Sequence, residues 1–296
     1  MDPQLIKIFN NILNNKYPKN NHKVYYSNEY YLNNIFYMLN DINKWKTLEL
    51  IKLYNPVLIN NKLAKTHYDT IRKKFNKWVN DGIFILAFKE CINSNVINKD
   101  IELTIDSTFI NNKYGIEEIG LNTDNKKKKA SKISLITDNN KFIYSIINIK
   151  INEKQQTKVD KRLNINKNLK KYKKRKGFVH DVKTIQDSLN SINPKYNFNN
   201  ISLLGDKGYI SNNNYYYKDK KINLITYKKK NQVQNSKEIT NKLKKRIYCE
   251  NAIGLIKKNE MIMTRKDHKI KNYMGFIYLG CLINNLKILN KINLKV

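Results

Sequence analysis

The sequence predicts an α/β protein in which a small helical N-terminal region, residues 1–95, precedes a mixed sheet flanked by helices, residues 96–296. Two changes in apolar spacing predict this division. From Tyr30 to about Asn93 apolar residues cluster at spacings of three and four, which is typical of helices. From Ile101 the pattern becomes that of strands. The 296 residues suffice for one large domain or two ordinary ones.

The clearest predicted helix follows Thr66, whose hydroxyl can cap it, and ends at Gly82. One face of this helix is apolar and carries Ile71, Phe75, Trp78 and Val79. Arg72 and Lys73 lie mostly elsewhere on the helix, and a second short helix, Ile83–Ile92, follows. Two helices with a basic face fit a small helix-turn-helix-like DNA reader, and they fit equally a helical lid with a solvated basic face.

The second region begins with three predicted strands in an antiparallel meander, Ile101–Asp106, Lys132–Thr137 and Phe142–Asn148. A lysine-rich loop, Lys154–Lys176, is predicted next. The remaining elements are a helix from about His180, strands Ile201–Gly205 and Asn223–Tyr227, and a long helix Lys237–Lys258. Three strands, a helix, two strands and a helix in this order predict a ribonuclease-H-like α/β domain.

The charge of the chain is strongly basic. Lysine and arginine total 57 against 24 acidic residues, which gives a formal net charge of +33 at pH 7 and predicts a phosphate-rich partner, double-stranded DNA. An AT-rich coding sequence is an alternative source of lysine, but the acidic residues have not risen in step. Arginine, which can bind phosphate in a planar bidentate way, occurs only at Arg72, Arg162, Arg175, Arg246 and Arg265.

Cysteine spacing and the apolar segments argue against several classes of protein. Cys91, Cys249 and Cys281 lie far apart, which disfavours a zinc ribbon, a redox pair or a disulfide framework. The N-terminal residues do not resemble a signal peptide, and the longest apolar stretch, Tyr273–Ile283, is shorter than the roughly 20 residues that span a bilayer. We therefore predict an intracellular protein without a membrane partner, and we interpret Tyr273–Ile283 as a buried C-terminal helix.

Carboxylates mark a predicted active site. Asp106 and Asp206 each end a predicted strand, so their strand ends can meet at one edge of the sheet. Glu250 lies in the long predicted helix, where offsets of four and eleven residues place Arg246 and Lys257 on nearly the same face. Three carboxylates in this arrangement suit a phosphoryl-transfer site with two magnesium ions roughly 4 Å apart.

Each carboxylate also has a simpler interpretation. An aspartate after a strand is commonly a turn or a helix cap, and a glutamate between basic residues is commonly a surface ion pair. We apply the first interpretation to Asp181, which follows His180 at the start of a predicted helix and which we expect to act as a cap. For the other three carboxylates, their joint pattern is more specific than any one of them alone.

The motifs around these three carboxylates resemble the DDE transposases of bacterial insertion sequences, families four and five. The matching segments are Asp106-Ser107-Thr108, Asp206-Lys207-Gly208-Tyr209, and Arg246-Ile247-Tyr248-Cys249-Glu250 with Lys257. Further resemblance runs through the basic turn and strand from Lys126 to Thr137, the segment Gly177–Asp181 and the helical segment Ile71–Phe84. The similarity covers roughly residues 65–285.

The resemblance implies a ribonuclease-H-like core that uses divalent metal to cleave DNA at the ends of a mobile element and to transfer the cut strands. It assigns Asp106, Asp206 and Glu250 as catalytic and metal-binding residues for two Mg²⁺ ions, with Mn²⁺ as a substitute. It also implies a homodimer on paired ends. Two other interpretations are a derivative that only binds DNA and a metal-dependent endonuclease without strand transfer, and the intact triad favours catalysis over the first of them.

Residues near the three carboxylates are implied DNA contacts. The resemblance makes Arg246 and Lys257 phosphate contacts beside the triad. We also expect contacts from Lys207 and Tyr209 of the second motif, and from Arg72 and Lys73 of the basic helix. One position departs from the family: Leu243 stands where its members have a tyrosine, so that contact with the DNA end is not expected here.

Overall fold

The structure, a computed structural model, describes most of the chain. The described residues are 2–18, 26–40, 45–49, 57–59, 62–64, 67–92, 99–122, 128–151, 177–228 and 235–293. The predictions for Thr66, for the start of the basic turn at Lys126 and for the loop Lys154–Lys176 lie outside these residues.

Helices predominate at the two ends of the described chain, and most strands lie between them. The α-helices are α1 (Pro3–Lys16), α2 (Asn28–Asn40), α3 (Tyr68–Asn80), α4 (Ile83–Glu90), α5 (Ile185–Asn190), α6 (Lys237–Lys244), α7 (Ile247–Ile256), α8 (Glu260–Met263) and α9 (Ile270–Asn293). The strands are β1 (Val57–Ile59), β2 (Lys62–Ala64), β3 (Ile101–Asn112), β4 (Gly120–Leu121), β5 (Lys129–Thr137), β6 (Ile143–Ile149), β7 (Ile201–Gly205), β8 (Tyr216–Tyr217), β9 (Lys220–Lys221), β10 (Asn223–Thr226) and β11 (Thr264–Arg265). Short 3₁₀ helices span Trp45–Glu49, Asp181–Thr184 and Lys207–Tyr209.

The chain divides into two compact units. The first comprises Met1–Asn93 and Gly254–Val296, and the second comprises Ser94–Ile253. The cut at residue 93 lies next to the boundary predicted at residue 95. The return of residues 254–296 to the N-terminal unit differs from the predicted division, which assigned them to the sheet region.

The first unit is built around aromatic side chains. The rings of Phe75 on α3 and Phe276 on α9 stack with centroids 4.4 Å apart, and Phe84 on α4 packs 5.3 Å from Phe75. Tyr273 and Ile277 of α9 are also fully buried. The predicted buried C-terminal helix is therefore confirmed, and its apolar face explains why residues after 253 belong with the N-terminal helices.

The helix predicted after Thr66 is α3, and its predicted apolar face is buried. The cap is His67, whose Nδ1 accepts a hydrogen bond from the Asp69 amide at 3.2 Å. The N-terminal region is not wholly helical, because β1 and β2 form a short antiparallel hairpin that apolar spacing does not predict.

The second unit is organised around one mixed sheet. Its strands follow the order β10-β7-β3-β5, and both β6 and β4 pair with the far side of β5. β3, β5 and β6 are antiparallel, which confirms the predicted meander, whereas β10, β7 and β3 run parallel. Central strand β5 is buried from Ala130 to Thr137. The predicted fold class, a mixed sheet flanked by helices after a helical region, is what the structure contains.

In the parts of the chain that the structure describes, no helix is long and apolar enough to span a membrane.

Candidate active site

Asp106 on β3 and Asp206, directly after β7, lie at equivalent positions in the register of these two parallel strands. In the pairing of β3 with β7, Thr104 is opposite Leu204, and each aspartate lies two residues beyond this pair. Residues at matched positions of parallel strands project to the same side of the sheet. The predicted meeting of these two strand ends therefore has a basis in the sheet register.

The structure corrects the end of the first of these strands. β3 does not stop at Asp106 but continues to Asn112, because residues beyond Asp106 keep pairing with β5, as Ser107 does with Ser134. β7 ends at Gly205, and its pairing with β3 ends at Thr104 and Leu204, before Asp106. Asp106 thus lies inside a long strand, where its parallel partner has just ended.

Asp206 begins a tight turn at the end of β7. Its Oδ1 accepts a hydrogen bond from the Gly208 amide at 2.7 Å and caps the 3₁₀ helix Lys207–Tyr209. The turn folds the Tyr209 side chain back over β7, where a Cβ on Gly205 would lie only 2.9 Å from Tyr209 Cβ. Only glycine at position 205 permits this close approach, which fixes the direction in which the chain leaves the strand.

The predicted long helix from Lys237 to Lys258 is two helices, α6 and α7. The amides of Lys245, Arg246, Tyr248 and Cys249 bond to carbonyls three residues earlier, so the backbone tightens between the helices. In an unbroken helix the six steps from Leu243 to Cys249 would turn the chain by a net angle of about 240°, so the two side chains would lie on different faces. With the tightened turn both side chains are buried.

Cys249 anchors the start of α7 to the sheet, and Glu250 is its neighbour. The buried Cys249 thiol donates to the Leu135 carbonyl of β5 at 3.8 Å, opposite Asp106 in the β3–β5 pairing. Burial raises the pKa of this thiol to about 12, and the nearby Asp106 charge adds to the effect, so the thiol is neutral. Glu250 points outward, with 54% of its side chain exposed, and Arg246 Nη2 lies 3.4 Å from Glu250 Oε1.

The three carboxylates and Arg246 interact through their charges. Burial is the main cause that raises the pKa of Asp106 to about 6. The Ser107 amide and Arg246 oppose this rise, whereas the charges of Asp206 and Glu250 add to it. Burial therefore affects the pKa of Asp106 more than any one neighbouring charge does.

The donor set at this site suits a hard divalent cation. Carboxylate oxygens are the ligands that Mg²⁺ and Mn²⁺ prefer, and a bound cation would favour the ionised form of the buried Asp106. In the present side-chain conformations, no three His, Cys, Asp or Glu side chains of the described residues lie close enough together to hold a metal ion. Asp206 and Glu250 act on Asp106 at a distance, and the exposed Glu250 side chain has room to change its rotamer.

The predicted DNA contacts fall into different environments. Lys207 is exposed beside Asp206. Tyr209 is only 1% exposed, which corrects its prediction as a DNA contact, because the absence of a side chain on Gly205 lets its ring pack into the core.

The residues predicted around Glu250 also differ from expectation. Lys257 lies in the turn after α7, so it does not share one helix with Arg246 as the spacing predicted. Leu243, at the position of the family's tyrosine, is buried.

The basic residues of α3 are exposed but paired. Arg72 Nη2 lies 2.6 Å from Asp69 Oδ1, and Lys73 Nζ lies 3.0 Å from Asp69 Oδ2. Half of the Arg72 side chain and 77% of the Lys73 side chain remain exposed. Exposed pairs of this kind on a helix surface contribute little to stability, so both cations remain available to a stronger anion.

Two residues next to the aspartates, Asp181 and Lys132, were not predicted as part of the site. Asp181, interpreted as a helix cap, instead accepts hydrogen bonds from Lys132 Nζ at 2.7 Å and from Ser107 Oγ at 3.0 Å. In the sequence, only Lys132 indicates this pair, because a lysine inside a continuous buried strand needs an anionic partner. Its partner lies 49 positions away in the sequence, and residue spacing gives no sign of so distant a pair.

The mixed sheet, its flanking helices and the carboxylates at the end of the parallel pair are the architecture of ribonuclease-H-like nucleic-acid enzymes. The family model described as the transposase DDE domain matches residues 98–282, and the chain belongs to this family. It is therefore a transposase, a metal-dependent polynucleotidyl transferase and endonuclease that acts on DNA. The predicted resemblance and class of enzyme are confirmed.

A solved structure supports the fold. The cryo-EM structure of a piggyBac transposase synaptic complex with hairpin DNA aligns over 97% of this chain and 71% of that chain, with 10% identity and a TM-score of 0.52. At this identity the similarity concerns the fold. Among curated protein sequences, none matches the chain.

Proposed function

We propose that the chain cuts DNA at the ends of a mobile element and joins the freed 3′ ends to target DNA, with Asp106, Asp206 and Glu250 holding two Mg²⁺ ions. The observation that carries this proposal is the register of β3 and β7, which brings Asp106 and Asp206 to equivalent positions. Coupling of Asp106 to the charges of Asp206, Glu250 and Arg246 supports the same site. Mn²⁺, which takes the same oxygen ligands, is expected to substitute.

The metal ions, when bound, would activate the attacking oxygen and stabilise the leaving oxygen of the phosphodiester. The residues of the chain bind and orient these groups. Asp106 contributes a rigid carboxylate from a strand interior, and Asp206 contributes one from a capped turn. Glu250 contributes a carboxylate from an exposed helical position, so it is the ligand best able to adjust as DNA enters.

Basic residues around the triad would position the DNA. Arg246 sits at the tightened turn before Glu250, where its guanidinium can contact a phosphate next to the site. Lys207 is exposed directly after Asp206 and would contact the backbone as a point charge. We place Lys257 in the same role, just beyond α7.

Recognition of the element ends is assigned to residues 1–95, with Arg72 and Lys73 as contacts, and catalysis to residues 96–296. The exposed α3 cations support the first assignment. Cutting two ends of one element calls for two active sites, so we also propose a homodimer on paired ends. Light scattering of the protein with and without end DNA measures this assembly directly.

The test is incubation of the protein with duplex DNA that carries its own flanking sequences, in Mg²⁺. We expect discrete cuts at the ends, and no cuts in Ca²⁺, which supports binding only. Three variants test the metal ligands: Asp106→Asn, Asp206→Asn and Glu250→Gln. Each removes the negative charge of one carboxylate and leaves every basic side chain in place, so each should abolish cutting and leave DNA affinity nearly unchanged. Near-wild-type cutting by any of the three contradicts the assignment of that residue.

The matched control is Asp187→Asn, which changes an exposed carboxylate on α5 of the same unit. It should cut at the wild-type rate. Adding a target plasmid separates the other interpretations of the sequence. Joined products support strand transfer, cuts without joining indicate an endonuclease, and binding without cuts by the wild type indicates a derivative that only binds DNA.

A further inference from the structure

A polar cluster lies behind Asp106, on the other face of β3. Successive residues of a strand point to opposite faces, so the side chain of Ser107 lies on the face opposite Asp106. Ser107 contacts Asp181 from the 3₁₀ helix before α5, and Asp181 contacts Lys132 from β5. The cluster therefore links three separate segments directly beneath the strand that carries Asp106.

The core of the cluster is a mostly buried ion pair. Only 11% of the Lys132 side chain and 22% of the Asp181 side chain are exposed, and their charged atoms lie 2.7 Å apart. Lys132 Nζ also lies 4.9 Å from the centre of the Phe109 ring. A cation placed in a buried strand is destabilising without a partner, so the two residues depend on each other.

Asp181 is hydrogen-bonded to the segment that follows Asp106 and lies next to the segment that follows Asp206. Its Oδ1 accepts from the hydroxyl of Ser107, the residue after Asp106. A Cβ built on Gly208 would lie 3.7 Å from Asp181 Oδ2 and 3.0 Å from Asp206 Oδ1. Asp181 Oδ2 therefore faces the turn that follows Asp206. One carboxylate thus lies against both segments.

We propose that Asp181, held by Lys132, is a positioning residue that fixes the Asp106 and Asp206 carboxylates relative to each other. The inference rests on the proposed metal-binding role of those two aspartates. Because Lys132 neutralises Asp181, the pair supports the site from behind without adding uncompensated negative charge to it. Groups that hold metal ligands in place commonly change metal affinity about 10- to 100-fold when they are removed.

An ordinary structural ion pair is the competing explanation, and the chain contains a matched example. Glu102 lies on β3, is paired with Lys245, and has 25% of its side chain exposed, close to the value for Asp181. It precedes Asp106 by four residues, and its carboxylate is paired away from the segments that follow the two aspartates. A purely structural role for Asp181 predicts that Asp181→Asn and Glu102→Gln behave alike.

The experiment compares full-length wild type, Asp181→Asn, Ser107→Ala and Glu102→Gln. Mn²⁺ affinity without DNA is measured by calorimetry, the Mg²⁺ dependence of end cleavage is titrated, and thermal unfolding is followed in parallel. Ser107→Ala removes the same contact from its other side without unpairing Lys132, so it keeps the test decisive if Asp181→Asn unfolds. We expect about 10-fold or greater weakening of Mn²⁺ binding and a matching rise in the Mg²⁺ needed for half-maximal cleavage in both cluster variants.

The outcomes separate this inference from the proposed function. Unchanged metal dependence in Ser107→Ala and Asp181→Asn, or an equal change in Glu102→Gln, overturns the positioning role while the wild type remains an active enzyme. Asp206→Asn is measured alongside these variants. If it binds Mn²⁺ as tightly as the wild type, the proposed metal site is overturned, and the inference with it.

Discussion

Arg246 contacts Glu250 through one guanidinium nitrogen only, Nη2, at 3.4 Å from Oε1. Its Nε is buried and has no hydrogen-bond partner among the described residues. A buried donor without a partner is destabilising, and the ion pair does not account for it. The guanidinium therefore retains donors for another acceptor, as expected of a residue that holds a phosphate beside the triad.

The first prediction is that Arg246→Lys reduces single-turnover cleavage of end DNA by about 100-fold with little change in stability. Lysine keeps the charge but loses the planar fork, so the phosphate is misplaced. Lys242→Ala, which breaks a comparable pair with Glu238 on α6, is the control and should cut normally. Normal cutting by Arg246→Lys means that Arg246 belongs only to the helix surface.

The second prediction concerns Gly205→Ala. The added methyl group meets Tyr209 Cβ, which cannot swing away as the tip of a long side chain would, so the turn that carries Asp206 must shift. We expect a loss of about 1–3 kcal/mol in the free energy of unfolding, together with slower cleavage. Gly254→Ala is the control, because no described atom lies within 4 Å of its added methyl group. It should be neutral or stabilising by up to about 1 kcal/mol.

The third prediction tests the α3 surface. Arg72→Ala with Lys73→Ala should weaken binding to end DNA and reduce the slope of log affinity against log salt by roughly 0.9 for each phosphate that is no longer neutralised. Lys7→Ala with Lys16→Ala removes the same charge from exposed positions of α1. Equal effects of the two double variants mean that α3 contributes only general positive charge. Deleting residues 1–95 is a poorer test, because it strips α9 of its packing partners.

The fourth prediction concerns pH and Asp267. Burial raises the pKa of this carboxyl to about 6, although Arg265 opposes the rise, and its Oδ2 lacks a hydrogen-bond partner in the described part of the chain. Because the folded pKa lies above the unfolded value of about 3.9, ionised Asp267 destabilises the protein, and stability falls as pH rises from about 4 to 6.

Asp267→Asn removes this ionisation. The variant should be more stable than the wild type by up to about 3 kcal/mol at pH 7.5, with the difference vanishing near pH 4. Denaturant unfolding at several pH values measures it, with the exposed Asp187→Asn variant as control. A stability difference that does not depend on pH contradicts the prediction.

Local patterns predicted the sheet of the second unit well. β7 spans Ile201–Gly205 as predicted, because its apolar run is bounded by an aspartate and a glycine turn. The strand end before Asp206 is visible in the sequence, whereas Asp106 is predicted to end a strand that in fact continues to Asn112. The extension of β3 beyond Asp106 is not predicted, since four of its six residues are polar and its strand conformation depends on pairing with β5.

Features set by tertiary contacts were not predictable in this way. Apolar spacing continues across Arg246, so it does not reveal the tightened turn between α6 and α7. The Lys132–Asp181 pair and the packing of Phe276 against Phe75 join distant segments, and neither leaves a short-range pattern. Tyr209 was misjudged because its burial depends on the missing side chain of Gly205.

The return of α9 to the N-terminal unit has a consequence for synthesis of the protein. On the ribosome, α3 and α4 emerge long before α9, and the aromatic surface around Phe75 must wait for Phe276 while the whole sheet unit is made. Contacts so distant in sequence form slowly, and exposed apolar surface invites association with other chains. The unit that is begun first is therefore the one completed last, and it is the part of the nascent chain most in need of a chaperone.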